Sequence, residues 1–246
     1  MKEAGAGWYE QPMDFIRWVH IVTGVVALGA FWLPLAARKG SPVHRRAGWV
    51  YALAMWVAAI AAWAICAGRL LDDDGANDAG ARFLAFVGLL AANGAGTGIR
   101  VLRMRSKASE RASIFDICSS ALLLVAAVAL GGLGILERSI LHLAFSALGV
   151  FLASQQLRYW MRRPVSKMDW WYAHMGNMLG ACIGTVTAFL VVNVPRFGLQ
   201  QWALYFWMGP GVLGGIAITL WTRYYRRRFE GRTRRPAGEV ETPPVA

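Results

Sequence analysis

The side chains best suited to chemistry in this sequence are its four histidines, His20, His44, His142 and His174. A neutral imidazole binds a transition metal without bringing charge into a low-dielectric medium. Each histidine lies in or beside a long apolar run. If those runs cross a membrane in turn, His20 and His142 fall toward one face and His44 and His174 toward the other. Two such pairs suit a transmembrane electron carrier with two b-type haems, because each iron takes an imidazole on either side. A divalent metal is the alternative cofactor for the same residues, and a proton relay is a third use. Purely structural hydrogen bonding is the plain alternative. It leaves a non-enzymatic transporter, sensor or assembly protein.

His44 belongs to "KGSPVHRRAG", residues 39 to 48. Gly40 and Pro42 favour a turn there. Such a turn is expected to fold the loop against the neighbouring helix ends and to carry His44 toward Asp116 or His174. Lys39, Arg45 and Arg46 are then placed for lipid head groups.

Other polar groups also fall at membrane depth, notably Asp116, Asn93, Asn177 and Gln156. An ionisable group there is costly and is read first as functional. Asp116 is expected to pair with a basic residue such as Arg45 or Arg111, or else to relay protons. The amides are expected to join helices by hydrogen bonds. Gly176, Gly180 and Gly184 repeat every four residues, which predicts a face for close helix packing. The three cysteines, Cys66, Cys118 and Cys182, sit singly in apolar runs and read as small hydrophobes.

These residues need elements to hold them, and composition says which. The chain has 246 residues, is 57% hydrophobic and is only 16% charged. Apolar stretches of about 20 residues, the length that crosses a bilayer, recur at 15–37, 49–71, 83–102, 114–136, 140–160, 170–193 and 202–222. The expected fold class is all-α, a polytopic membrane protein with a bundle of seven transmembrane helices. Residues 1–14 form an outer segment, 15–222 the membrane domain, and 223–246 a basic, then disordered, tail. The first run lacks the pattern of a cleaved signal peptide.

Charge alternates between connections. Lys and Arg crowd the first, third and fifth and the tail, whereas Asp72, Asp73, Asp74 and Asp78 mark the second. Short cytoplasmic loops accumulate Lys and Arg. The N-terminus is therefore expected outside and the C-terminus inside. A net charge of +12 beside membrane spans points to anionic lipid head groups rather than nucleic acid. The sequence has no P-loop, paired metalloprotease histidines, hydrolase serine motif or CxxCH. A covalently attached c-type haem is thereby excluded.

The most specific local pattern is KG…HRR.G..Y, carried by Lys39, Gly40, His44, Arg45, Arg46, Gly48 and Tyr51. A second element is His174 with the glycine-spaced helix that follows, up to Asn193. On these residues the chain resembles an uncharacterised family of bacterial seven-span membrane proteins, known as a domain of unknown function. The resemblance covers roughly residues 13 to 222. It implies seven spans in the bacterial inner membrane and makes His44 part of a family motif. It implies no activity.

The orientation is directly testable. A reporter active only in the cytoplasm should be active when fused after Arg228 and silent when fused within residues 72–78. The reverse pattern would invert the topology.

Overall fold

The computed structural model describes residues 7–71, 78–105, 112–164 and 166–230. Asp72, Asp73, Asp74, Lys107, Arg111 and the chain after Glu230 lie outside the described residues, as do the side chains of Trp8, Tyr9 and Asp78. All regular structure among the described residues is helical: α1 (Gly7–Ala30), α2 (Trp32–Ala36), α3 (Pro42–Leu71), α4 (Asp78–Arg100), α5 (Ile114–Leu136), α6 (Ile140–Met161), α7 (Asp169–Asn193) and α8 (Ala203–Glu230). Seven segments are long and apolar enough to cross a membrane, with α1 and α2 together forming the first.

Helix boundaries follow local chemistry. Pro34 cannot donate to the Ala30 carbonyl, and the helix breaks at Phe31, between α1 and α2. The second span starts at Pro42, seven residues before the expected 49. Ser41 accepts the backbone N–H of His44 at 3.2 Å, while Pro42 takes the first helical position, where its missing N–H costs nothing. Gly40 turns the chain with φ +79°. His44 therefore sits in the first turn of α3 and not in a loop. At α5 the Ser113 hydroxyl and the Asp116 carboxylate cap each other's backbone N–H groups. Arg223, Arg226, Arg227 and Arg228, read from sequence as the start of a tail, continue α8.

Adjacent helices pack antiparallel in steady register, while α3 and α7, which meet across the unit, run parallel. His20 lies beside Ala58, and Phe31 beside Tyr51. Trp56 reaches the Ala92 carbonyl and Trp63 that of Ala85, aligning α3 with α4. His174 lies on Gly98, aligning α4 with α7. A four-helix unit of α1, α3, α4 and α7 results, with α7 also touching α1. Its core contains Ala27, Phe31, Tyr51, Met55, Ala95 and Cys182. The α5–α6 hairpin builds a second core on the other side of α4, from Phe83, Phe86, Leu123, Leu130 and Phe145, with Trp207 of α8 against it. Outward-facing Phe15, Val125 and Leu213 remain exposed, as lipid-facing side chains do.

Close helix approach does not use the three glycines of α7 that were expected to provide it. A Cβ at Gly176, Gly180 or Gly184 would meet nothing within 4 Å. That face of α7 is open, and the four-residue spacing carries no packing role within this chain. The tight contacts are elsewhere. A Cβ on Gly98 would lie 2.7 Å from Met178 Sδ, and one on Gly149 would lie 2.7 Å from Phe86 and 2.8 Å from the Ala127 Cβ. Gly149→Ala should therefore cost about 1–3 kcal/mol through overpacking and lower the melting temperature in detergent. Gly180→Ala should leave it unchanged. Equal melting temperatures for the two variants would refute this packing.

Candidate functional site

Two of the four histidines come together. The His44 and His174 rings lie with centroids 6.3 Å apart and planes crossed at 67°. Each ring is tethered by its neighbours. His44 Nδ1 lies 3.1 Å from the Pro34 carbonyl and His174 Nδ1 2.7 Å from the Gly98 carbonyl. A carbonyl only accepts, so Nδ1 carries the proton in both rings. In the neutral imidazole the lone pair is then on Nε2. Neither Nε2 has a hydrogen-bond partner among the described residues. Metal-binding histidines are commonly oriented by such a bond from the other ring nitrogen.

The tether on His44 originates at the end of α2. The last carbonyls of α2 have no helical partner. Lys39 Nζ donates to Pro34 O and Leu35 O, each at 2.9 Å. The ammonium thus closes the end of α2 and holds the carbonyl that receives His44. Partial burial pushes the Lys39 pKa below its ordinary value. Two of the three donors of the Lys39 ammonium are thus spent on backbone carbonyls. Arg45 and Arg46 are exposed on α3 with no ion-pair partner among the described residues, as head-group ligands must be.

The other two histidines do not form a pair. His20 Nδ1 lies 2.9 Å from the Ala58 carbonyl and belongs to the four-helix unit. His142 belongs to the second core, edge-on to Phe83 at 5.2 Å. Its Nδ1 is 2.5 Å from Ser139 Oγ, and its Nε2 is buried 3.7 Å from Glu137 Oε2. His20 and His142 share no ring contact or hydrogen bond among the described residues. The sequence separated the histidines by depth, but depth alone did not reveal that His20 and His142 face different cores.

Asp116 is 1% exposed. Its carboxylate receives Arg100, Arg103 and Ser113. The expected partners, Arg45 and Arg111, are not among these; α4 supplies the cations from its own last turn and the 3-10 turn Val101–Arg105. Nor does His44 turn to Asp116, whose oxygens are occupied. Asn93 donates to the Ser119 carbonyl at 3.1 Å, and Ser120, Gln156 and Asn177 are linked in series at 3.2 and 3.1 Å. The amides therefore join α4, α5, α6 and α7, as expected of interhelical polar groups.

What the sequence missed are the roles of the Pro34 and Gly98 carbonyls and of the Lys39 ammonium in holding the two rings. The Ser41-Pro42 pair was a usable signal for the start of α3. Nothing in the sequence marked the two carbonyls. No protein-family model matches the chain, and no curated protein or solved structure is significantly similar to it.

The Asp116 clamp makes a stability prediction. Asp116→Ala should leave two guanidinium groups without their common carboxylate. A loss of about 3 kcal/mol is expected, measured as reduced resistance to unfolding in mild detergent. Unchanged resistance would show that solvent and lipid already satisfy both arginines.

Proposed function

We propose that this chain is a membrane protein of the bacterial inner membrane that binds one redox-active transition-metal centre between His44 and His174. The observation that carries the reading is the 6.3 Å separation of two imidazoles, each oriented through Nδ1 by a backbone carbonyl. Metal–nitrogen bonds of about 2 Å on opposite sides of one ion put ring centroids about 6 Å apart, against about 5 Å across a tetrahedral ion. The spacing therefore favours two trans imidazoles. Haem iron and a two-coordinate monovalent copper ion both take that arrangement, whereas tetrahedral zinc does not.

This replaces two metal sites with one. His20 and His142 have separate surroundings and separate structural uses, so a two-haem electron path gains no support. The centre lies at the end of the bundle that carries Arg45 and Arg46. On the charge alternation between connections, that end is cytoplasmic, with the N-terminus outside and the C-terminus inside. Anionic lipid head groups are the partners proposed for those two arginines. Membership of the seven-span family is inferred from the motif of Lys39 to Tyr51 and from His174 with the helix that follows it to Asn193.

The test is a reduced-minus-oxidised visible spectrum of the purified protein, together with metal analysis. Sharp low-spin bands identify haem, and copper without such bands identifies the bare ion. Either signal should disappear in His44→Ala and His174→Ala and persist in His20→Ala and His142→Ala. A colourless, metal-free protein, or a signal indifferent to His44 and His174, would refute the proposal and return the histidines to hydrogen bonding alone.

A further inference from the structure

His142 is held differently from the other three histidines. His20, His44 and His174 each set Nδ1 against a backbone carbonyl, which only accepts. His142 sets Nδ1 against a hydroxyl, Ser139 Oγ, at 2.5 Å. A hydroxyl donates or accepts as it rotates. Among the described residues, His142 is also the one histidine with a carboxylate beside it. Its Nε2 lies 3.7 Å from Glu137 Oε2. That is too long for a hydrogen bond, and the buried Nε2 has no such partner.

The carboxylate selects the tautomer of the neutral ring. With the proton on Nδ1, the Nε2 lone pair would face a negative oxygen. With the proton on Nε2, an N–H dipole points at that oxygen. Ser139 then donates to Nδ1 and still accepts the His142 backbone N–H at 3.4 Å, as the cap of α6. His142 is thus assigned the tautomer opposite to that of His44 and His174.

We propose that His142 is a proton-binding site which, once charged, closes onto Glu137. A proton from water forms the Nδ1–H bond, and the Ser139 hydroxyl turns from donor to acceptor. The positive ring then draws Nε2–H to Glu137 Oε2. The surrounding charges suit this. From α4, Arg82 Nη2 lies 3.4 Å from Glu137 Oε1, which leaves Oε2 for the ring. Phe83 stands 5.2 Å from the imidazole, with Phe145 and Trp207 against it, and none of the three is charged. From α5, Gly134 comes close to the His142 Cβ and brings no charge. Arg138 is exposed. A helix N-terminus disfavours a cation, so the first turn of α6 needs Glu137 to hold the second proton. The Glu137 side chain is 28% exposed, which lets water reach the pair.

The consequence falls on the α5–α6 hairpin. Its open end is pinned to α4 by Asp116 with Arg100 and Arg103. Its turn is held to the other end of α4 by Arg82 and Glu137. Protonated His142 joins that pair and draws the first turn of α6 onto it. One end of the hairpin is therefore fixed, and the other responds to protons. This site lies at the end of the bundle opposite the His44–His174 pair and stands independently of any metal there.

Nitrogen-15 NMR of the histidine-labelled full chain in detergent reads the tautomers, and amide hydrogen exchange reads the closure. At pH 8 His142 should be protonated on Nε2 and His44 and His174 on Nδ1. Imidazoles ordinarily titrate between pH 5 and 8. Over that range His142 should gain its second proton. Exchange of the amides of residues 142–145, corrected for the intrinsic effect of pH, should then slow about fivefold. Glu137→Gln and His142→Gln should each abolish the slowing, whereas His20→Gln should preserve it. Nδ1 protonation of His142 at pH 8 would overturn the inference, and that measurement needs no variant. Absence of slowing in the parent, or the same slowing in Glu137→Gln, would also overturn it.

Discussion

A carbonyl or N–H left unpaired in hydrocarbon costs several kcal/mol, and the positions of the polar side chains in this molecule follow from that penalty. Where the backbone is regular, helices meet the requirement by themselves. Where it is not, side chains must do it. The first span ends where α2 stops at Ala36, and the carbonyls left open there are closed by Lys39 and His44. His174 closes on Gly98 in the same manner. The interaction that completes the backbone also chooses the imidazole tautomer and aims the ring. A structural need and a ligand geometry are thus served by one hydrogen bond.

Two faces of α4 serve the two halves of the protein. Its glycine-bearing face accepts α7 closely, because Gly98 leaves space that Met178 fills. That approach brings His174 to the edge of α3 and so to His44. The opposite face of α4 carries Phe83, Phe86 and Asn93 toward the α5–α6 hairpin. Beyond Gly98, Arg100 and Arg103 reach round to Asp116 at the start of α5. The ion cluster pins the hairpin to α4 while leaving the histidine pair in the other unit. Structural charge and candidate chemistry therefore occupy neighbouring places without sharing ligands.

The four-helix unit differs in character from the hairpin core. The hairpin core is aromatic and aliphatic, with rings meeting edge to face around Phe83, Phe145 and Trp207. The four-helix core mixes sulfur and hydroxyl groups among small residues. Small residues bring helices near enough for Tyr51 and Thr185 to meet across the unit. An apolar core of the same shape would need neither hydroxyl. Each hydroxyl answers the other, which is why the fully buried Tyr51 can be a tyrosine and not a phenylalanine.

Hydrophobic length was sufficient to determine seven helices from sequence, since a span of about 20 apolar residues has few alternatives in a bilayer. The four candidate histidines were also legible, as was the nearness of His44 to His174, because both fall near the starts of two spans that run in the same direction. Partner choice was not legible. Asp116 had several cations within reach by topology, and only the short 3-10 turn after α4 brings Arg103 to it. His20 and His142 share a depth, but rotation of each helix about its axis assigns them to different cores. The glycines of α7 match a packing pattern, but the side of α7 that meets α4 is not the one they occupy. Depth follows from chain length and hydrophobicity, which are local. Facing follows from how all the helices fit together, and only the tertiary structure decides that.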